Sequence, residues 1–414
     1  MTTPTPAALP RRALAGMITV AVLVGLNLRP SMAAVGPLAD RIQAELGASY
    51  TGLALLTTLP VLAMAAGCFL GAGLARRLGD PALVVASLLM ILLADLARLA
   101  NQTLAGLMLT ALVAGFGIAF LQVRLPALIK RRAGGYTALV MGWYIAAVMG
   151  GAALASSLAP SLATLAGGWR AGLAVWAALA VLALLAWWRG RAVFGAPPAQ
   201  GAAVPTAGLW RRPRTWTLAL FFGLGTAGYT CVLAWLPPYY VARGFSPSQA
   251  GGLLGFLTAM EVVAGLLLPP LVLKSPDRRP ALLAVLASAL AGFVLLAGWP
   301  LGSPLLVATL LGLGIGGLFP LSLIVAMDHH DNAEVAGALV GIVQGIGYLI
   351  AAFSPFLAGL IRDRLGDFAL AWVGLGALYV LLIAMALRFN PRRYARHYGW
   401  QWISRSGTGA KNPE

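Results

Sequence analysis

Charge is scarce in this chain. Only 10% of its 414 residues are Asp, Glu, Lys or Arg, against about a quarter in a soluble globular protein, and the mean hydropathy is +0.86. That shortage excludes an ordinary water-soluble domain. Cysteine is scarcer still. Cys68 and Cys231 are the only two; each lies inside an apolar run, so neither points to a disulfide framework or a thiolate metal site. Neither an HExxH nor a CxxC pattern occurs, and a P-loop is missing, which argues against direct ATP drive by this chain. Strict polar–apolar alternation is also lacking, so the apolar segments do not read as barrel strands.

What is present is apolar and small. Sixty per cent of the residues are hydrophobic and 50 are glycine, a composition suited to helices that approach closely through small residues. Gly115, Gly117, Gly312, Gly314 and Gly316 lie inside apolar stretches and read as packing glycines rather than nucleotide loops. Apolar runs of spanning length cover about 13–38, 51–74, 81–99, 104–129, 136–162 and 170–188, then 215–239, 249–273, 281–299, 305–327, 335–361 and 368–389. The predicted fold is therefore an all-α membrane protein with twelve transmembrane helices in two six-helix bundles. Residues 1–188 form the first bundle and 215–390 the second. A basic, proline-containing linker at 189–214 joins them, and 391–414 form a tail. Matching basic loops in the two halves indicate an internal duplication in parallel orientation.

The formal net charge of +17 would suggest nucleic acid in a soluble protein, but its placement decides otherwise. Most of the Lys and Arg residues fall at the N-terminus, around Arg76, Lys130 and Lys274, in the linker from Arg189 to Arg214, and in the tail. This is the positive-inside pattern, so both termini are expected to be cytoplasmic. Opposite loops carry Arg41, Arg170, Arg243, Arg362 and Arg364, singly or beside acidic residues. One loop disagrees: Asp328-His329-His330-Asp331 should be cytoplasmic yet has no Lys or Arg. Its histidines read as solvated or gate residues. Arg11 and Arg12 ahead of an apolar stretch imitate a signal peptide, but the run continues past Arg29 without a convincing cleavage site, and it reads as a retained first helix.

Arg29 stands near the middle of that first run. An arginine at the centre of a membrane helix costs about 2.5–3.5 kcal/mol on insertion scales, so it should face protein or water and mark a functional site. The bland alternative is a snorkelling or helix-pairing arginine. Pro30 removes a backbone donor and loosens the helix, leaving carbonyls that a neighbouring polar group must satisfy; Asn27 is as suited to that task as to touching a substrate. Glu261, near the centre of the eighth run, should be protonated, paired or facing water. Two roles stay open for it: a proton carrier, or an ion pair with Arg29 or Arg124. Asp95 and Arg98 read most simply as an interfacial pair at the outer end of the third run.

The 6+6 repeat with a basic central linker resembles the major facilitator superfamily. The usual signature after the second helix is degenerate in Gly73-Leu74-Ala75-Arg76-Arg77-Leu78-Gly79, where Arg76 stands in the place of the usual aspartate and Asp80 is left to take the acidic role. Gly25-Leu26-Asn27-Leu28-Arg29-Pro30 followed by Val35-Gly36-Pro37-Leu38 is similar to the opening of the cyanate transporter family and its 2-nitroimidazole-exporter relatives. The similarity continues through Leu55-Leu56-Thr57-Thr58-Leu59-Pro60-Val61, Leu128-Ile129-Lys130-Arg131-Arg132, Ala234-Trp235-Leu236-Pro237, Gly317-Leu318-Phe319-Pro320-Leu321 and Val343-Gln344-Gly345-Ile346-Gly347. Met149-Gly150-Gly151 and Met327-Asp328-His329 bring it closer to the cyanate branch.

The resemblance implies a monomeric secondary transporter of the bacterial inner membrane, neither an enzyme nor a cofactor protein, with a substrate site between the two bundles. Cyanate is a small monoanion, so its carrier needs fixed positive charge and hydrogen-bond donors in a cavity shielded from lipid. The expected substrate contacts are Arg29, Asn27, Gln122, Tyr229 and Gln344. Glu261 and Arg124 are the expected proton-coupling or ion-pair residues, with protons as coupling ion. Trp143, Tyr144, Trp235 and Tyr348 are aromatic candidates for the cavity, although packing or an interfacial belt suits Trp143 and Trp235 better. Export of a nitroaromatic drug is the rival among transporters. A non-transporting membrane sensor is the rival outside that class.

Overall fold

The computed structural model describes residues 10–194, 207–272, 275, 277–330, 333–391 and 394, and among them every regular element is helical. Most of the linker and the tail beyond 394 lie outside the described residues, as do Lys274 and Asp331. Among the described residues, twelve helical spans are long and apolar enough to cross a membrane, six between Arg11 and Phe194 and six between Pro213 and Leu387.

The first span is three helices rather than one: α1 (Arg11–Leu26), α2 (Pro30–Ala33) and α3 (Val35–Leu46). After α4 (Tyr50–Leu78) the chain turns on a single residue, Gly79, whose φ of 79° suits glycine. Asp80 and Pro81 then open α5 (Asp80–Ala97), an acidic residue and a proline where a helix start favours both. The first half is completed by α6 (Leu104–Arg132), α7 (Thr137–Leu165), α8 (Trp169–Ala174) and α9 (Ala177–Phe194). A short α10 (Ala207–Trp210) precedes α11 (Pro213–Val241), α12 (Pro247–Val272), α13 (Arg279–Gly298), α14 (Pro304–Met327), α15 (Ala333–Leu365) and α16 (Ala369–Leu387).

The halves meet where α4 packs on α15 and α7 on α12, with α3 against α11. Missing side chains let these backbones touch. A Cβ on Gly36 would lie 2.7 Å from the Leu233 carbonyl oxygen, and one on Gly251 would lie 2.4 Å from that of Ser156. Among the described residues, the hydrogen bonds crossing between the halves lie away from the basic end that holds Lys130. Asp363 accepts from the Tyr50 and Thr51 backbone N–H groups at 2.9 and 2.8 Å and from the Thr51 hydroxyl at 2.5 Å. The Thr58 hydroxyl donates to the Ala352 carbonyl at 2.9 Å. Arg362 lies over the Tyr50 ring, and Tyr50 meets Trp235 and Phe368 edge-on.

At the basic end the ion pairs stay within each half. Asp80, buried at the head of α5, accepts from Arg124 Nε at 2.8 Å and is also held by Arg131, both near the end of α6. In the second half Arg278, just ahead of α13, donates to Asp328, just past α14, at 2.8 Å. The two pairs occupy equivalent places with the charges exchanged. This is why the loop at Asp328 departs from the positive-inside pattern: the cation of the pair sits on the neighbouring loop. His329 is not solvated; it is buried, accepts from Arg214 at 3.0 Å and stacks on Tyr394. Asp95 and Arg98 do pair, and they do so away from solvent. They are 0% and 2% exposed and pair at 3.2 Å inside the first half.

Two stability measurements test this packing in detergent. Gly251→Val drives a side chain into a backbone carbonyl that cannot move aside, and overpacking of that kind costs about 1–3 kcal/mol; its thermal midpoint should fall, while Gly142→Ala, with open space around it, should not. Asp80→Ala strands two cations and should cost about 3–5 kcal/mol. Arg131→Ala, which leaves Arg124 on the carboxylate, should cost clearly less.

Candidate functional site

A cavity of about 240 Å³ lies between the halves, walled by residues of both. The first span contributes Arg29 to its wall, from the point where that span breaks. Pro30 has no N–H, and the chain before it tightens: Asn27 N–H donates to Val24 O at 3.2 Å and Leu28 N–H to Gly25 O at 3.1 Å. These i to i−3 bonds belong to a 3₁₀ turn. The helix restarts with Arg29 as its cap residue, its carbonyl accepting from Ala33 N–H at 2.9 Å. The main chain thus takes up the Val24, Gly25 and Arg29 carbonyls. The Asn27 side-chain amide takes up none: 1% exposed, it finds no hydrogen-bond partner within the protein.

Arg29 projects from this turn into the cavity wall and is 6% exposed. Its guanidinium carbon lies 5.4 Å from the centre of the Tyr229 ring, within cation–π range. Its Nε has no partner in the protein. Glu261 enters the wall from α12, 2% exposed, and neither carboxylate oxygen is bonded by a protein group. The backbone of α14 passes flush against it, since a Cβ on Gly316 would lie 2.3 Å from the Glu261 Cα. Arg29 and Glu261 are the two charged side chains in a wall otherwise of aromatic, aliphatic and neutral polar groups. In such surroundings charge is poorly screened, and each has a strong field on whatever enters.

Six of the residues singled out from the sequence meet in this wall: Arg29, Gln122, Tyr144, Tyr229, Glu261 and Tyr348. Five do not. Asn27 sits beside the break, turned from the cavity. Arg124 is spent on Asp80 at the basic end and pairs with neither Glu261 nor the cavity. Gln344, half-buried on α15, lies outside the wall. Trp143 is 52% exposed, facing outward as an interfacial belt residue does. Trp235 is packed, its ring against Phe368 and its Nε1–H donating to Pro355 O at 2.8 Å. The ion pair of Glu261 with either arginine is likewise replaced by two unbonded oxygens.

The wall also holds residues that the sequence alone did not single out, among them Phe222, Thr226, Phe319, Met64 and Met149. Their signal was helical spacing. Phe222, Thr226 and Tyr229 follow one face of α11, as Glu261, Gly265 and Pro269 follow one face of α12. Among the described residues no cluster of His, Cys, Asp and Glu is fit to hold a metal. The arrangement offers a fixed cation, tyrosine hydroxyls and a carboxylate able to take or release a proton.

Residues 20–352 match the family model of the Major Facilitator Superfamily. The chain is 38% identical to the cyanate transport protein CynX of Escherichia coli (strain K12), over 91% of this chain and 98% of that protein. It is 32% identical to the 2-nitroimidazole transporter of the same organism, over 90% and 94%. Among solved structures, a D-xylose-proton symporter superposes with a TM-score of 0.76 at 14% identity, covering 91% of this chain and 98% of that one. A bacterial homologue of the human lysosomal transporter Spinster also gives 0.76 at 14%, covering 96% and 100%. Twelve spans in two six-helix bundles, the family match and the length of these relatives agree: the chain is a multi-pass membrane transporter of the Major Facilitator Superfamily.

Proposed function

We propose that the chain carries a small monoanion, with cyanate as the leading substrate, by alternating access around Arg29. The observation that supports this most is Arg29 itself: a guanidinium held in the wall of a cavity between the halves, with its Nε unbonded by the protein. A planar donor fork suits a small anion, and its charge compensates the hydration that such an anion loses on entry. The similarity to a cyanate transport protein agrees with this chemistry. With the basic loops cytoplasmic, the ties at Asp363 and Thr58 close the outer side, and the cavity faces inward. Rocking of the halves about these contacts then exposes Arg29 to either side in turn.

Glu261 supplies the means of coupling. Its carboxylate lines the cavity with no protein partner, and proton exchange there links proton movement to the anion that Arg29 holds. A second reading rests on a separate observation. Tyr144, Tyr229, Tyr348, Phe222 and Phe319 give more flat apolar wall than a triatomic ion requires, and such walls stack on rings. A nitroaromatic substrate, of the kind named for the second relative, would use them.

Uptake of radiolabelled cyanate into proteoliposomes tests the proposal. Arg29→Ala should lower uptake roughly tenfold or more, on the scale of a charged hydrogen bond, and Arg29→Lys should keep part of it because the charge remains without the fork. Unchanged uptake in Arg29→Ala would remove this role. Glu261→Gln should abolish the response of uptake to an imposed pH gradient; a response equal to wild type would separate the proton from Glu261. Transport of 2-nitroimidazole without any transport of cyanate would select the second reading.

A further inference from the structure

The first half holds a buried polar cluster behind the cavity that the proposed transport cycle does not use. Ser31 lies two residues beyond Arg29 on α2, so about 200° around the helix axis, and its hydroxyl donates to Asp95 Oδ1 at 2.7 Å. Asp95 is 0% exposed, and its other oxygen has no partner. The same Oδ1 faces Arg98 at 3.2 Å, and Arg98 Nε reaches the Thr110 hydroxyl on α6 at 3.4 Å. None of these four residues lines the cavity. Buried charges in a membrane helix are costly and persist where they have work to do.

A brace between α5 and α6 needs only Asp95, Arg98 and Thr110. It leaves Ser31 without a purpose, and Ser31 is the member that sits on the interrupted helix. α2 is a single turn of four residues that packs on α7 and runs on into α3. On its other side the helix is broken, so no helix continues into it from the side of Arg29. A bond to a carboxylate fixed in the neighbouring helix supplies the missing constraint from the rear.

We infer that Asp95, acting through Ser31, is a positioning residue that bolts α2 to α5 and thereby aims Arg29 into the cavity. The pair touches no substrate. It sets the direction in which the guanidinium leaves the helix break, while Arg98 and Thr110 hold Asp95 in place. The value of this to transport rests on the proposed role of Arg29; the aiming itself does not.

The direction of position 29 can be read without any substrate. In the full-length chain carrying Cys68→Ala, Cys231→Ala and Arg29→Cys, reconstituted in lipid, the new thiol is modified with a small methanethiosulfonate reagent. Adding Ser31→Ala should change the modification rate about fivefold or more, the scale of one lost hydrogen bond to a charged group. Ser31→Thr, which keeps the hydroxyl, should restore it. A rate unaltered by Ser31→Ala would overturn the inference. Asp95→Asn is the second variant and should shift the rate in the same sense; should it not insert, Ser31→Ala still decides. In the native background, cyanate uptake by Ser31→Ala should show a KM raised roughly tenfold with the maximal rate kept, whereas a mere brace would lower the amount of folded protein and leave KM alone. Labelling that depends on Ser31 together with cyanate uptake indifferent to Arg29→Ala would keep the bolt and reject the substrate role of Arg29.

Discussion

Placing a guanidinium among hydrocarbon is the constraint on which the rest of the structure depends. Arg29 is tolerable only if protein or water surrounds it, and the fold supplies that setting by closing two bundles around the turn that carries it. The closeness of the bundles comes from what is absent: Gly36 and Gly251 bring backbone against backbone, so the cavity is walled by protein along its length. The break in the first span is part of the same solution. A continuous helix would present its arginine at the angle its register dictates, whereas a 3₁₀ turn at the break frees that angle to be chosen.

Much of this was legible in the sequence because hydrocarbon allows so few answers. Backbone groups in lipid must be satisfied internally, so long apolar runs can only be helices, and twelve runs become twelve spans. Arg29 and Glu261 were legible for a related reason: ionisable groups are rare there, and those that survive face the interior. Tyr229 and Gln122 followed from depth within a run, and Tyr144 and Tyr348 from the helices that the resemblance implies at the cavity. Depth fails, however, where the facing side of a helix decides. Gln344 and Trp235 lie inside the same runs as Tyr348 and Tyr229 yet are turned elsewhere, and only packing fixes that rotation. Asn27 misled because a polar group beside a proline suggests a cap, yet its amide bonds to nothing in the protein.

Pairing was harder still to read than facing. Asp80 and Arg124 are separated in sequence by an entire hairpin, and nothing local shows that the arginine is spent there rather than on Glu261. The same holds for Ser31 and Asp95. A serine in a membrane helix ordinarily bonds back to its own turn, and an aspartate three residues before an arginine looks self-sufficient. Their meeting is set by tertiary packing, which no window of sequence contains.

The exchanged charges at the basic end carry a further meaning. A helix favours an anion at its start and a cation at its finish, by about 0.3–1 kcal/mol for each group. In the first half Asp80 begins α5 and Arg131 ends α6, so the pair and the peptide dipoles reinforce one another. In the second half Arg278 precedes α13 and Asp328 follows α14, so the same attraction works against both dipoles. The difference is on the order of 2 kcal/mol over four groups. Halves that share one plan therefore anchor their basic ends differently: the first through the starts and finishes of its own helices, the second through an arginine that also reaches back to the Val272 carbonyl at the end of α12.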